Sequence, residues 1–211
     1  MMSPGGAYES EAAGWYYVNP PDPSWSDQEK GEWRSVFSAT TLPAITAHEV
    51  VPGHFAHGRM LARAPGDVRK SVFSDAFVEG WAHYAEELML EEGYRADDPR
   101  FAIGIWLEAL VRVTRLAAAL GVHRGTMTVE EAARRFETDG FLAPAAALSE
   151  AERATYDPTY GRYTWGKIEI RALRDEAMAT WGNRYNHRRF HESLLALGAP
   201  PLGTMGDALG A

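Results

Sequence analysis

The sequence predicts a mainly α-helical protein with a short strand region near its start. Three observations carry this reading. From about Leu42 onward the apolar residues keep helical spacing. Helix-starting and helix-stopping residues recur along that stretch. A β-branched and aromatic run ended by proline stands out only near the start.

Residues 1–37 are expected to be irregular, with early glycines and the turn-forming run Asn19-Pro20-Pro21-Asp22-Pro23. Inside them, Gly14 to Asn19 reads as one strand. Residues 38–211 are expected to be helical. Ala44 to about Leu61 forms one stretch, broken at Pro52-Gly53, and Val72 to Glu92 forms a second, stopped by Gly93. Pro99 opens a third, with Ile103, Trp106, Leu107, Leu110 and Thr114 on its apolar stripe. Thr128 and Glu131 make a capping box for a helix closed by Gly140. Ser149 and Glu152 repeat the device for a short helix ending before Asp157-Pro158. Gly161 to Trp181 makes a long helix stopped by Gly182, and Arg188 to Leu197 makes the last.

The 211 residues fit a single domain, or one large lobe of a bigger enzyme. Hydrophobic residues at 45%, with seven Trp, nine Tyr and eight Phe, supply a packed interior and exclude a disordered chain. A formal charge of −8 argues against nucleic-acid binding through a broad basic surface. Without cysteine there is no disulfide framework, thiolate metal site or cysteine nucleophile, so His and carboxylates must hold any transition metal. The first residues have no basic segment followed by an apolar run, and the longest apolar stretch, Phe141 to Leu148, is too short for a bilayer. A cytoplasmic protein with no membrane partner is the expectation.

The chemistry-bearing segment is His48-Glu49-Val50-Val51-Pro52-Gly53-His54. A His followed at once by Glu on a helix is how many zinc hydrolases set a ligand beside a general base. In the usual motif the second His comes four residues on, where this chain has Pro52. On an unbroken helix, at about 100° per residue, positions six apart point roughly 120° away from each other. A break at Pro52-Gly53 could rotate His54 back toward His48. The plainer reading is a helix end and two surface histidines. Glu79, 30 residues after Glu49, falls on the next helix, and two His from one helix with a Glu from the following one is a zinc hydrolase arrangement. Against that, Glu79 and Glu86 could lie on a solvated face with Trp81 and Tyr84 in the core. His57 could replace His54 as ligand. His187 and His191 are four apart without the Glu an inverted zinc motif needs, and His83 and His123 are not expected to be ligands.

Together these segments resemble the bacterial zincin-like metalloproteins grouped as domain of unknown function 885. His48, Glu49, Pro52, Gly53 and His54 match a His-Glu-x-x-Pro-Gly-His core. Glu79 to Glu86 match a Glu-Gly-Trp-Ala-x-Tyr-Ala-Glu segment, and Tyr163, Gly166, Ile170, Arg171, Leu173 and Arg174 match a later one. Phe190-His191 and Pro201-Leu202 look like the family's C-terminal end. Phe55 departs from the pattern where a second His often stands, and the family's large helical N-terminal part has no counterpart here.

The resemblance implies a zincin-like helical metallopeptidase lobe, the C-terminal catalytic part of a longer architecture. It implies Zn²⁺ on His48, His54 and Glu79, with Glu49 as general base for hydrolysis of a peptide or small amide. Tyr163 is the candidate oxyanion donor. Arg171 or Arg174 could take a terminal carboxylate in a carboxypeptidase, and His191 could point into the cleft. The alternative is a non-catalytic or split-subunit module that needs a separate N-terminal polypeptide. Either a homo-oligomer or a companion chain would then cover the aromatic-rich start.

Overall fold

The computed structural model describes residues 1–9 and 11–210. The chain is mainly helical, as expected. Two short strands, β1 (Met2–Ser3) and β2 (Trp15–Tyr16), pair antiparallel, with Met2 opposite Tyr16 and Ser3 opposite Trp15. The helices are α1 (Asp27–Ser35), α2 (Leu42–Glu49), α3 (His54–Leu61), α4 (Asp67–Ser71), α5 (Asp75–Glu91) and α6 (Pro99–His123). They continue as α7 (Val129–Thr138), α8 (Pro144–Tyr156), α9 (Arg162–Trp181), α10 (His187–Leu195) and α11 (Met205–Leu209). Among the described residues, no helix is long and apolar enough to cross a membrane.

The chain divides into two compact units, each built from separate stretches. One comprises Met1–Tyr17, Ala47–Glu86 and Trp165–Ala211, and the other Val18–Thr46 and Glu87–Thr164.

In the second unit, α6, α7 and α8 enclose a core of Val111, Ala118, Ala119, Ala132, Ala133, Phe136, Ala147, Ala151 and Ala154, with Tyr160 and Tyr163. Alanine on three facing helices lets their backbones pack closely at little side-chain entropy cost. Thr128 caps α7 through the expected box, accepting from the Glu131 amide while Glu131 accepts from Thr128. One ion pair is buried among these helices: Arg115 Nε and Nη2 donate to Glu150 at 2.7 and 2.6 Å, and the Tyr160 hydroxyl also donates to Glu150. Burial would raise the Glu150 carboxyl, but the Arg115 charge, with the hydrogen bonds from Arg115 and Tyr160 and the nearby Arg153 charge, together outweigh it and hold the group below its ordinary value.

Four local expectations are corrected. Residues 1–37 are not wholly irregular, because Ser26 opens α1 with a capping box to Glu29. The spacing is the one recognised at Thr128, but it precedes a polar helix with no buried residue and lacks an apolar period to draw the eye. The chain is extended at Val72, and Phe73 bridges Ala199, so the helix expected from Val72 begins only at Asp75, with the short α4 ending before it. α8 starts at Pro144 rather than Ser149, since proline suits the first helical position. On α6 most of the expected stripe faces outward: Ile103, Trp106 and Leu110 are exposed and Leu107 is half-buried, and of that stripe Thr114 alone is buried, beside Phe101, Gly104, Ile105, Val111, Ala118 and Ala119. Gly104 explains this orientation, because a Cβ there would stand 2.1 Å from the Thr40 carbonyl oxygen, so this face must approach backbone.

In the first unit the decisive packing feature is a crossing of α5 and α9 at two glycines. A Cβ on Gly80 would lie 2.4 Å from Gly166 Cα, and one on Gly166 would lie 1.9 Å from the Ala76 carbonyl oxygen. Neither obstacle is the flexible end of a side chain. Gly166→Ala and Gly80→Ala are therefore expected to lower stability by about 2 kcal/mol or more each. Gly31→Ala on exposed α1, where nothing lies within 4 Å, should gain about 0.5–1 kcal/mol. Thermal and urea unfolding of the three variants check the contrast.

Candidate metal centre

Three segments of the chain build the site, and the residues they bring to it all lie in the first unit. α2 ends at Glu49 with His48 buried in its last turn. The chain then folds back on itself: the Gly53 amide donates to the Ala47 carbonyl at 3.0 Å, and α3 begins at His54. A Cβ on Gly53 would sit 1.7 Å from the His48 carbonyl oxygen, so only glycine permits this return. It reconciles a six-residue spacing with a shared site, because His48 and His54 come from two helix segments. Their rings meet edge to face, with centroids 4.6 Å apart. Trp81 of α5 fixes the turn from outside, its indole N–H donating to the Pro52 carbonyl at 3.0 Å.

Glu79 enters from the first half of α5. Its Oε2 lies 3.4 Å from His48 Nε2 and 3.2 Å from His54 Nε2. His48, His54 and Glu79 thus offer three ligand atoms all within 4.8 Å of one another. Glu79 Oε2 is buried, and neither close imidazole nitrogen has hydrogen-bond geometry to it. Burial pushes the Glu79 carboxyl up, but the closeness and charge of His48 and His54 outweigh it and hold the group well below the usual carboxylate range. Glu49 Oε2 is a second buried oxygen without a hydrogen-bond partner, and Glu49 Oε1 is 3.3 Å from the Met1 amino group.

The donor set fits a divalent transition metal. Ligand atoms about 2.0–2.1 Å from a tetrahedral zinc ion stand roughly 3.3 Å from each other. The two nitrogen–oxygen separations, 3.4 and 3.2 Å, match that value. Imidazole with carboxylate suits zinc and its first-row neighbours better than calcium or magnesium.

The other residues singled out in the sequence are not among these three ligands. His57 is buried on α3, with Nε2 3.0 Å from the Gly198 carbonyl and its ring against Phe77, and does not join the three ligand atoms. Arg174 on α9 donates to the Tyr84 hydroxyl at 3.2 Å, and His191 Nε2 is 2.8 Å from the same hydroxyl. Arg171 is half-buried one turn before Arg174. Tyr163 belongs to the second unit, its ring buried in that core beside the guanidinium groups of Arg112, Arg115 and Arg162.

Two participants escaped the sequence reading. Tyr84 reads as core and is buried, yet its hydroxyl joins Arg174 to His191. Glu86 is fully buried rather than solvated, with Oε1 2.6 Å from His48 Nδ1 and Oε2 3.3 Å from His83 Nδ1. The available signal was position: Glu79, His83 and Glu86 stand at i, i+4 and i+7, one face of a helix.

Fold and site together define a mainly helical protein with a two-histidine, one-carboxylate cluster that could hold a metal ion. The chain belongs to a family described as bacterial protein of unknown function (DUF885), whose profile matches residues 1–209. A solved structure from Shewanella oneidensis, described as a candidate lipoprotein of unknown function, is similar over all of this chain, at 27% identity and a TM-score of 0.85. Another candidate lipoprotein, from Colwellia psychrerythraea, is similar over 82% of it, at 27% identity and a TM-score of 0.73. The chain spans 38% of the first of these and 30% of the second. No curated protein matches the sequence.

His57 gives the region a pH response. Burial drives its pKa from 6.5 down to about 4, only partly opposed by the Gly198 carbonyl. The unfolded chain therefore takes up this proton at higher pH than the native one does. The contribution of His57 is fully present above pH 6.5, is lost as pH falls from 6.5 toward 4, and changes no further below that. The loss should reach about 3 kcal/mol. Urea unfolding across that window is expected to steepen in the wild type and to flatten in His57→Gln.

Proposed function

We propose that this chain is a zinc-dependent hydrolase of peptide or related amide bonds, with His48 Nε2, His54 Nε2 and the Glu79 carboxylate holding the ion. The observation that carries the reading is the agreement between the nitrogen–oxygen separations around Glu79 Oε2 and those of a tetrahedral zinc site. When bound, zinc lowers the pKa of water toward 7 and polarises a carbonyl. The absence of cysteine agrees with an all-imidazole and carboxylate site.

Glu49 is the residue to which we assign proton transfer. It directly follows a ligand in the chain, and its Oε2 is a buried acceptor with no hydrogen-bond partner. That oxygen takes a proton from the attacking water and returns it to the leaving amine nitrogen. Arg171 or Arg174 of α9 is the cation we assign to a substrate's terminal carboxylate. Tyr163, the oxyanion donor that the resemblance implies, packs in the second unit's core. The zincin-like, carboxypeptidase-like character stands on this same set of residues.

A second reading has one observation in its favour. Ile103, Trp106, Leu110, Val113 and Leu120 are exposed along one face of α6. An apolar row of that kind commonly marks a binding surface. A second copy or a companion polypeptide would cover it, and light scattering would then give a particle heavier than 23.3 kDa.

Metal analysis of the purified chain should find about one zinc per molecule, with His48→Ala losing most of it. Equal metal in both proteins would refute the ligand set. Glu49→Gln should keep its zinc while hydrolysis of mixed peptides falls about 100-fold or more. Near-normal turnover in that variant would remove Glu49 from the reaction.

A further inference from the structure

We propose that Glu86 is the positioning residue of this centre: its carboxylate fixes His48 with the proton on Nδ1, so that bare Nε2 faces Glu79 and His54. The proposal rests on reading the cluster as a metal centre. Glu86 has no solvent exposure, and each of its oxygens meets a buried imidazole. An ionised carboxylate only accepts, so with Glu86 charged the short 2.6 Å contact to Oε1 places the proton on His48 Nδ1. In a neutral imidazole the other nitrogen is then a lone pair, the form that ligates metal. That nitrogen is the atom 3.4 Å from Glu79 Oε2.

A carboxylate serving only to satisfy a buried histidine would leave the far side of the ring facing nothing in particular. Here the far side faces the site. Without Glu86 the imidazole could turn over and carry its proton toward Glu79, and two donors would be lost to the metal at once. His83 completes the device. Its Nδ1, 3.3 Å from Oε2, holds the second oxygen, so the carboxylate cannot swing away from His48. Since Glu79, His83 and Glu86 all stand on α5, one helix carries both a ligand and the residue that aims another.

Two measurements on the full chain test this. The first is ¹⁵N NMR of the His48 ring in metal-free wild type at alkaline pH, where neutral imidazole is populated. A proton on Nδ1 is expected, and one on Nε2 would overturn the proposal whether or not zinc binds. The second is zinc affinity by competition with a chromogenic chelator in wild type, Glu86→Gln and Glu86→Ala, with circular dichroism reporting the fold. Glu86→Ala should bind zinc about 10–100-fold more weakly. Glu86→Gln keeps an oxygen acceptor without the charge and should fall between. Unchanged affinity in folded Glu86→Ala would overturn the proposal. Should that variant not fold, unchanged affinity in Glu86→Gln would do so. Wild type that takes up no zinc would overturn the metal reading instead, while the ring proton still decides the role of Glu86.

Discussion

A carboxylate sealed from water has to be answered inside the protein, and Glu86 is that carboxylate. From Trp81 to Leu88 every residue of α5 is buried. A helix enclosed on all sides is ordinarily apolar throughout, yet this one carries His83, Glu86 and Glu87. Leaving Glu86 unanswered would cost several kcal/mol. The last turn of α2 therefore has to bring His48 against it. Once His48 is there, the return of the chain through Gly53 sets the place of His54, and the same α5 face supplies Glu79. The ligand cluster and the packing of the first unit thus answer to one electrostatic requirement.

The second unit handles buried charge differently. There Arg115 and Glu150 neutralise one another directly, with the Tyr160 hydroxyl as a further donor, and the pair is enclosed by alanine-lined helices. Every strong acceptor on Glu150 has a donor. Around Glu79 and Glu49, by contrast, buried oxygens remain without hydrogen-bond partners. Native proteins leave few such atoms, and those they leave ask for an explanation. The contrast separates a structural ion pair from a site with capacity left for a ligand.

Much of the helical layout was legible, because capping boxes, prolines and stop glycines act within a few residues of the structure they set. Gly93 and Gly182 adopt positive φ at the helix ends where the sequence puts them. The residues of the cluster were legible too, since a broken helix at Pro52-Gly53 has few other uses. What escaped depends on contacts far apart in the chain. The inward face of α6 is set by Gly104 against Thr40, and periodicity cannot tell which of two apolar stripes will find backbone to approach. Glu86 looked solvated because charge usually is. Its partner lies 38 residues away, and nothing local in the sequence reports that distance closing.

The meeting of Gly80 with Gly166 has a consequence for how this chain can change. Each position lacks room for a single methyl group, and each is blocked largely by the backbone of the other helix. Gly80 directly follows Glu79, so the gap between these helices also sets how far that carboxylate reaches. Two residues that bear no functional group therefore constrain the cluster as tightly as its own side chains do. Changes that reshape the cluster would meet their dead ends there, and would have to spread the helices at both positions together to escape them.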